Sequence, residues 1–328
     1  MGSAVGYFVI GFANTLLLVF VGRIVGGITG ANISTAQAYI ADVTSKENRA
    51  KGMGLFGAAF GFGFVFGPAL SGILSKYGPH VPFFFAAGLS FANAAALYFL
   101  LPESLSLEAR AHVPERKSRL ADLLESFGHK TFREINIVYF LLVTSFSIMT
   151  YGFVLYTAYR FHFTPEQNGY LFALIGIIAI IAQGLIFTKL ANSLGESVLV
   201  VAGCLMMVVS LFAVPIVGPG YGGLTVLLIG TALLALGNSL ASPGLTSLAS
   251  KTASEKDQGR TLGIMQSGAS LARVIGPLLG GILLNNKMDL IDDSTIYRTF
   301  WTASAIMFVA FLVAIYFART TRIKTAAA

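Results

Sequence analysis

Long apolar runs separated by short charged segments recur along the whole chain. Taking about 20 apolar residues for one crossing of a bilayer, spans are expected near 15–43, 52–74, 82–101, 136–159, 168–188, 198–217, 223–245, 262–284 and 299–318. No charge falls between Gly52 and Ser75 or between Ser197 and Ser250. These runs lack the alternation of barrel strands, so helices supply the crossings. Ahead of them, "MGSAVGYFVIGFA" ends at the turn signal Asn14-Thr15 and at helical rise reaches only about 20 Å, too short to cross. It has no basic n-region, so it does not read as a signal peptide. The chain is expected to begin inside a helix.

Composition agrees with this reading. Hydrophobic residues make up 55% of the chain and charged residues 11%, with a mean hydropathy of +0.76, which excludes an ordinary water-soluble domain. The net charge of +7 would suggest nucleic acid in a soluble protein, but here the basic residues sit in loops beside apolar spans. Lys46, Arg49 and Lys51 share one side with the basic residues between Arg110 and Arg133, with Lys189, with Lys251, Lys256 and Arg260, and with Arg319, Arg322 and Lys324. The opposite loops hold only Lys76, Arg160, Lys287 and Arg298. By the positive-inside rule the rich side is cytoplasmic, and the C-terminus lies there. The basic residues thus serve orientation, and no nucleic-acid partner is expected.

The polar stretch of residues 102–135 divides the chain into a bundle at 1–101 and a second at 136–328, the linker being cytoplasmic. An internal repeat supports the division. Residues 45–74, "SKENRAKGMGLFGAAFGFGFVFGPALSGIL", align without a gap on residues 254–283, "SEKDQGRTLGIMQSGASLARVIGPLLGGIL". Gly54/Gly263, Gly67/Gly276, Pro68/Pro277 and Gly72/Gly281 coincide. Each copy is a charged loop followed by a helix of the same polarity, as in parallel repeats about an axis along the membrane normal. The second half holds six spans and the first three with a stub, so about two and a half helices are expected to be missing relative to a symmetric parent.

Within the first copy, Ala59, Gly63, Gly67, Ser71 and Ser75 recur every fourth residue. They give one helix face a nearly bare backbone that another helix can approach closely. Pro68 removes a hydrogen bond and should bend the span. The segment "GFVFGPALSG" resembles the proline-glycine signature of the fifth helix in drug/proton antiporters of the major facilitator superfamily, carried here by Gly63, Gly67, Pro68 and Gly72. Upstream, "GRIVGGITG" and "AYIAD" resemble the fourth helix of the tetracycline exporters, and "PFFFAAGLSFANAAALYFLLPES" their sixth. The close likeness covers residues 15–104, and the second half is generic for the superfamily. It implies an all-α polytopic membrane protein of two pseudo-symmetric helical bundles. It also implies that the first two helices, half of the third, the proton-carrying acid of the first helix and the Gly-Asp-Arg loop signature are absent, so that the chain as given would not perform coupled transport. Two apolar spans are then expected in frame upstream of Met1.

Arg23 lies inside its span, where an unpaired guanidinium is costly, so it should face the bundle interior and find a partner. The resemblance makes it the basic residue that tunes protonation of the first-helix acid; a structural arginine bonded to carbonyls is the alternative. Asp42 sits at the cytoplasmic end of the same span, where the helix dipole disfavours a carboxylate unless Lys46 or Arg49 answers it. By resemblance it is a gate latch, the alternative being an ordinary interfacial acid. Arg273 is too deep to reach water along the lipid face and should line the cavity or bond to a neighbouring helix. It is not part of the tetracycline-exporter pattern and opens the way to an acidic substrate. Gln37, Gln183 and Asn238 are candidate cavity residues, while such polar groups, like Asn32, Tyr151 and Tyr156, also serve as interhelical glue. Phe60, Phe62, Phe64 and Phe66 spread around their helix and read as packing or lipid-facing bulk.

The histidines, His80, His112, His129 and His162, share no metal-ligand spacing. The single cysteine, Cys204, permits no intramolecular disulfide. No metal or other cofactor, and no enzymatic activity, is expected. The reading that emerges is a monomeric bacterial inner-membrane antiporter exchanging a small-molecule drug for protons by rocking of two bundles. A facilitator permease for a metabolite or sugar is the rival; a membrane-embedded enzyme or a channel is disfavoured.

Overall fold

In the computed structural model the residues described are 1–30, 32–45, 47–104, 130–253, 258–284 and 291–326. Most of the expected linker, residues 105–129, lies outside them. The first half contains α1 (Gly2–Gly11), α2 (Leu16–Ile28), α3 (Asn32–Val43), α4 (Arg49–Ser75) and α5 (Val81–Leu100). The second contains α6 (Lys130–Phe161) and α7 (Pro165–Ile181), which runs through a π turn (Ala182–Ile186) into α8 (Phe187–Leu194). It continues with α9 (Glu196–Ala213), α10 (Gly223–Thr252), α11 (Gln258–Leu284) and α12 (Asp293–Ala326). Nine segments among the described residues are long and apolar enough to cross a membrane, with α2 and α3 counted as one, and α1 is shorter.

Local chemistry explains the helix starts. Thr15 caps α2 by accepting from the Leu18 amide at 3.4 Å. Thr164 and Gln167 form a reciprocal capping box ahead of α7, with Pro165 in the first turn. Gly195, at φ 85°, joins α8 directly to α9, a conformation that glycine adopts without the steric cost of a Cβ.

Several expectations are corrected by the structure. The span 15–43 is not one helix. It ends at Ile28, where Gly26, Gly27 and Gly30 weaken the helix and the Thr29 hydroxyl donates back to the Val25 carbonyl at 2.7 Å. The sixth-residue offset at the start of α6 has a packing cause: Phe132, Glu134 and Ile135 are buried, so the helix extends back to Lys130.

The smooth face of α4 is also differently used. Among the described residues, Cβ atoms added at Gly63 or Gly67 would meet nothing within 4 Å. The helix that approaches α4 does so on another face. A Cβ at Gly61 would stand 2.8 Å from the Gly176 carbonyl oxygen, and one at Gly54 2.6 Å from that of Gln183. Glycines spaced by three and four residues, Gly54, Gly57 and Gly61, therefore admit α7 and its π turn. Pro68 and Gly72 lie within α4, but their surroundings fall outside the described part, as does the expected bend.

The repeat is visible in the helix boundaries. Carried one residue beyond the sequence alignment, Arg49 pairs with Gln258 and Ser75 with Leu284, so α4 and α11 are aligned 27-residue helices. Their proline-glycine faces differ in surroundings. A side chain at Gly276 would collide with Ser147 of α6, and one at Gly280 would stand 2.8 Å from the Tyr151 ring.

The second half holds most of the buried apolar residues. Phe153, Tyr156, Met207, Leu211, Leu227 and Phe300 are almost fully enclosed among α6, α9, α10 and α12. Gly203 and Gly237 bring α9 and α10 into backbone contact. The Tyr156 hydroxyl lies 2.8 Å from the carbonyl oxygens of both Val214 and Val217, which makes it a structural tie. In the first half α1 packs on α2 and α5 through Gly6, Gly22 and the edge-on rings of Phe8, Phe12 and Phe84. Outward-facing Leu16, Phe20, Ile24 and Phe99 give α2 and α5 an apolar surface fit for lipid.

Replacing Gly61 by Leu is expected to destabilise the protein by about 2 kcal/mol, because α7 must move off α4. Gly67→Leu should cost less than about 0.5 kcal/mol. Denaturant or thermal unfolding of the purified variants in detergent reads the difference, and equal losses would contradict the α4–α7 contact.

Candidate functional site

A cavity of about 210 Å³ lies where α3 and α4 meet α6, α7, α10 and α11. The first half contributes Gln37, Phe56, Gly57 and Phe60. The second contributes Tyr139, Phe146, Gln183, Asn238, Ser239, Ser242, Gln266 and Arg273. The four residues marked in the sequence as cavity candidates, Gln37, Gln183, Asn238 and Arg273, thus converge on one space.

Its polar wall is assembled from both halves. The Gln266 Nε2 donates to Gln37 Oε1 at 3.1 Å and to the Tyr139 hydroxyl at 3.3 Å. Gln183 Nε2 donates to Ser239 Oγ at 3.3 Å. Gln183 owes its position to two local features. The π turn adds a residue to the helical turn that bears it, and Gly57 across the gap leaves room for its side chain, whose Oε1 would overlap any Cβ there. Pro243 and Pro277 lie within α10 and α11, and each lacks the amide that would bond the carbonyl one turn back, at Ser239 and Arg273. Three groups in the cavity retain bonding capacity. Asn238 and Arg273 make no hydrogen bond or ion pair among the described residues, and Gln266 Oε1 is buried without a donor.

The aromatic wall corrects one expectation. Phe60, although 44% exposed, also lines the cavity and packs edge-on against Phe56, ring centres 5.3 Å apart, while Phe62 and Phe66 are exposed and stack on each other. Gln266, Tyr139, Ser239 and Ser242 were not singled out in the sequence. Gln266 carried the same signal as Gln183, a polar residue inside an apolar span, but the two serines and Tyr139 are too common in such spans to stand out.

The other marked residues lie elsewhere. Arg23 is exposed and faces a separate pocket between α1 and α2, with Ser3, Tyr7 and Gly26. No hydrogen bond or ion pair to it is formed among the described residues, so the expected interior partner is not found. Asp42 accepts from the Ser104 hydroxyl at 2.9 Å. Lys46 lies outside the described residues. Arg49 is buried. Its guanidinium donates to the Thr44 hydroxyl and carbonyl and, across to α10, to Ser250, which in turn donates to Gln258 at 2.6 Å. Gly63 and Gly67 do not line the cavity.

The sequence profile of the Major Facilitator Superfamily matches residues 1–229 and 212–327. The chain belongs to that superfamily. It is 33% identical over 309 residues to Multidrug resistance protein 2 of Bacillus subtilis (strain 168), covering 92% of this chain and 73% of that one. To the class H tetracycline resistance protein of Pasteurella multocida it is 29% identical over 333 residues, with coverages of 97% and 77%. Among solved structures it is similar to that of the human organic anion transporter MFSD10 (TETRAN), at a TM-score of 0.77 and 26% identity, covering 96% of this chain and 75% of that one. This major facilitator chain is therefore a multi-pass membrane transporter for a small molecule, not an enzyme, and is related to multidrug and tetracycline resistance exporters.

The Arg49–Ser250 contact ties the two halves of this facilitator chain at the Lys/Arg-rich side. Hydrogen bonds to a charged group contribute about 1.5–3 kcal/mol, so Arg49→Met should loosen that side by about tenfold or more in equilibrium population. Spin labels at Ser45 and Thr252 are expected to show a longer-distance population in the variant by pulsed electron resonance. An unchanged distance distribution would remove the tie from any role in closure.

Proposed function

We propose that the protein expels small drug-like molecules across the bacterial cell membrane in exchange for protons, by alternating access. The observation that carries this reading is the cavity itself. Its wall is shared between Gln37, Phe56 and Phe60 on one side and Gln183, Asn238 and Arg273 on the other, so a rocking of residues 1–101 against residues 136–328 would open it to one face or the other. The resistance proteins among the relatives support efflux over uptake. So does the antiporter-like signature at Gly63, Gly67, Pro68 and Gly72.

In this reading the protein works as a monomer with its Lys/Arg-rich loops and C-terminus in the cytoplasm. Gln37, Gln183, Asn238 and Arg273 contact the solute. Arg23 and Asp42 serve coupling and gating: Arg23 biases a proton site through its charge, and Asp42, hydrogen-bonded to Ser104 at the start of the linker, senses the closure of the Lys/Arg-rich side.

The test uses inverted vesicles from cells expressing the full-length protein, acidified inside and monitored with a pH-quenched acridine dye. Adding tetracycline or a lipophilic dye should release protons, and Asp42→Asn should reduce that release several-fold while leaving the amount of protein in the membrane unchanged. Absence of any solute-dependent proton release would rule out antiport, and proton-driven accumulation of a sugar or metabolite by intact cells would establish a permease in its place.

A further inference from the structure

The charges and vacant hydrogen-bonding positions of the cavity identify a class of solute, an inference that rests on the cavity being the transport site. Among the described residues that line it, Arg273 alone carries a formal charge, and no carboxylate joins it. Arg273 sits about 16 Å from the nearer end of α11 by helical rise, and its guanidinium makes no ion pair or hydrogen bond among the described residues. A cation at that depth is unfavourable until something answers it. A positively charged solute would be repelled, and an acid would be drawn in.

A second vacancy lies on the same helix. Gln266 precedes Arg273 by seven residues, which places both on one face, separated by about 10 Å of helical rise. It is 8% exposed. Its amide nitrogen is committed to Gln37 and Tyr139, while its Oε1 has no donor. A buried acceptor left without a donor is costly, so a solute whose donor meets it, on a small shift of the Gln266 side chain toward the cavity, gains at that point. The same cavity is lined by the rings of Phe56, Phe60 and Phe146, which suit a flat apolar body.

We infer that the cavity takes an elongated aromatic organic anion, with its acid group on Arg273 and a hydroxyl or N–H donor at its far end on Gln266. The guanidinium offers paired N–H donors that match a carboxylate or sulfonate. A fused two-ring acid with a hydroxyl at the opposite end has the length to reach from one to the other.

The experiment measures binding of 6-hydroxy-2-naphthoate to the 328-residue chain in lipid nanodiscs by its intrinsic fluorescence. Two analogues accompany it: 6-methoxy-2-naphthoate, which lacks the donor, and 6-hydroxy-2-naphthylmethylammonium, which reverses the charge. The acid should bind saturably, and the ammonium compound at least about tenfold more weakly. Arg273→Gln should weaken the acid about tenfold or more, and Arg273→Lys should restore part of the loss. The methoxy acid should bind about fivefold more weakly than the hydroxy acid, and Gln266→Leu should abolish that difference.

The comparison of the three compounds on the unaltered chain stands even where a variant fails to fold. Failure of the acid to bind, tighter binding of the ammonium compound, or an Arg273→Gln variant with unchanged affinity for the acid would overturn the inference. Equal affinity for the hydroxy and methoxy acids would overturn the part assigned to Gln266. Proton release driven by a neutral or cationic drug, together with failure of the acid to bind, would leave the transport reading standing and the anion reading refuted.

Discussion

Gln183 fills the notch that Gly57 leaves in α4, and the seating of one half on the other depends on that contact. Between helices in a bilayer, apolar burial provides little drive, because lipid chains are as apolar as leucine; close packing and polar bonds decide which faces meet. Gly54, Gly57 and Gly61 lower the surface of α4, and Gly176 and Gly184 lower that of α7 and its π turn. Gln183 then reaches on to Ser239 of α10. One side chain thus fixes the mutual placement of α4, the π turn and α10, and the cavity walls follow from it. A bulkier residue at Gly57 would have to displace Gln183, and the polar bond to α10 would be lost with the packing.

The two copies of the repeat show how the same sequence pattern acquires different surroundings. In α11 the glycine three residues after Arg273, Gly276, is closed over by Ser147 and Ile148 of α6. Its counterpart in α4, Gly67, is open among the described residues. The pattern therefore specifies a surface that a helix can approach, while the presence of the approaching helix is a property of the neighbours. What the two copies share is length, boundary and polarity: both run 27 residues from the Lys/Arg-rich side.

Most of the fold was legible because membrane crossing is a strong, one-dimensional constraint. A run of some 20 uncharged residues has few other uses, and the nine segments appear where the runs are. The break at Thr29 and the π turn at Ala182 were not legible, since each is a local adjustment of a helix that remains apolar throughout. Which glycine face of α4 would be used could not be read either. The face containing Gly63 and Gly67 is the more regular, but the choice depends on where α7 and Gln183 lie in space. For the cavity, Gln37, Gln183, Asn238 and Arg273 stood out as polar groups inside apolar runs. Gln266 carries that signal too, and Phe56 and Phe60 carry none, because an aromatic residue facing a cavity looks in sequence like one facing lipid.

Arg23 and Arg273 were marked by the same rule, yet depth gives them different meanings. Arg23 lies seven residues into α2, about 10 Å of rise from its start, beside a pocket that also holds the hydroxyls of Ser3 and Tyr7. A long side chain in that position can keep its head near the membrane interface while its stem packs along α1. Arg273 has no such escape. The exposed residues that follow it on α11, Val274, Leu278 and Ile282, are all apolar, and the cavity is the polar space open to it among the described residues. A guanidinium held there is stabilised by water or by an anion, and an anion that displaces the water gains a charge-assisted, two-point contact in a medium of low dielectric. The depth of one arginine in the helix thus ties the electrostatics of the cavity to the choice of what it carries.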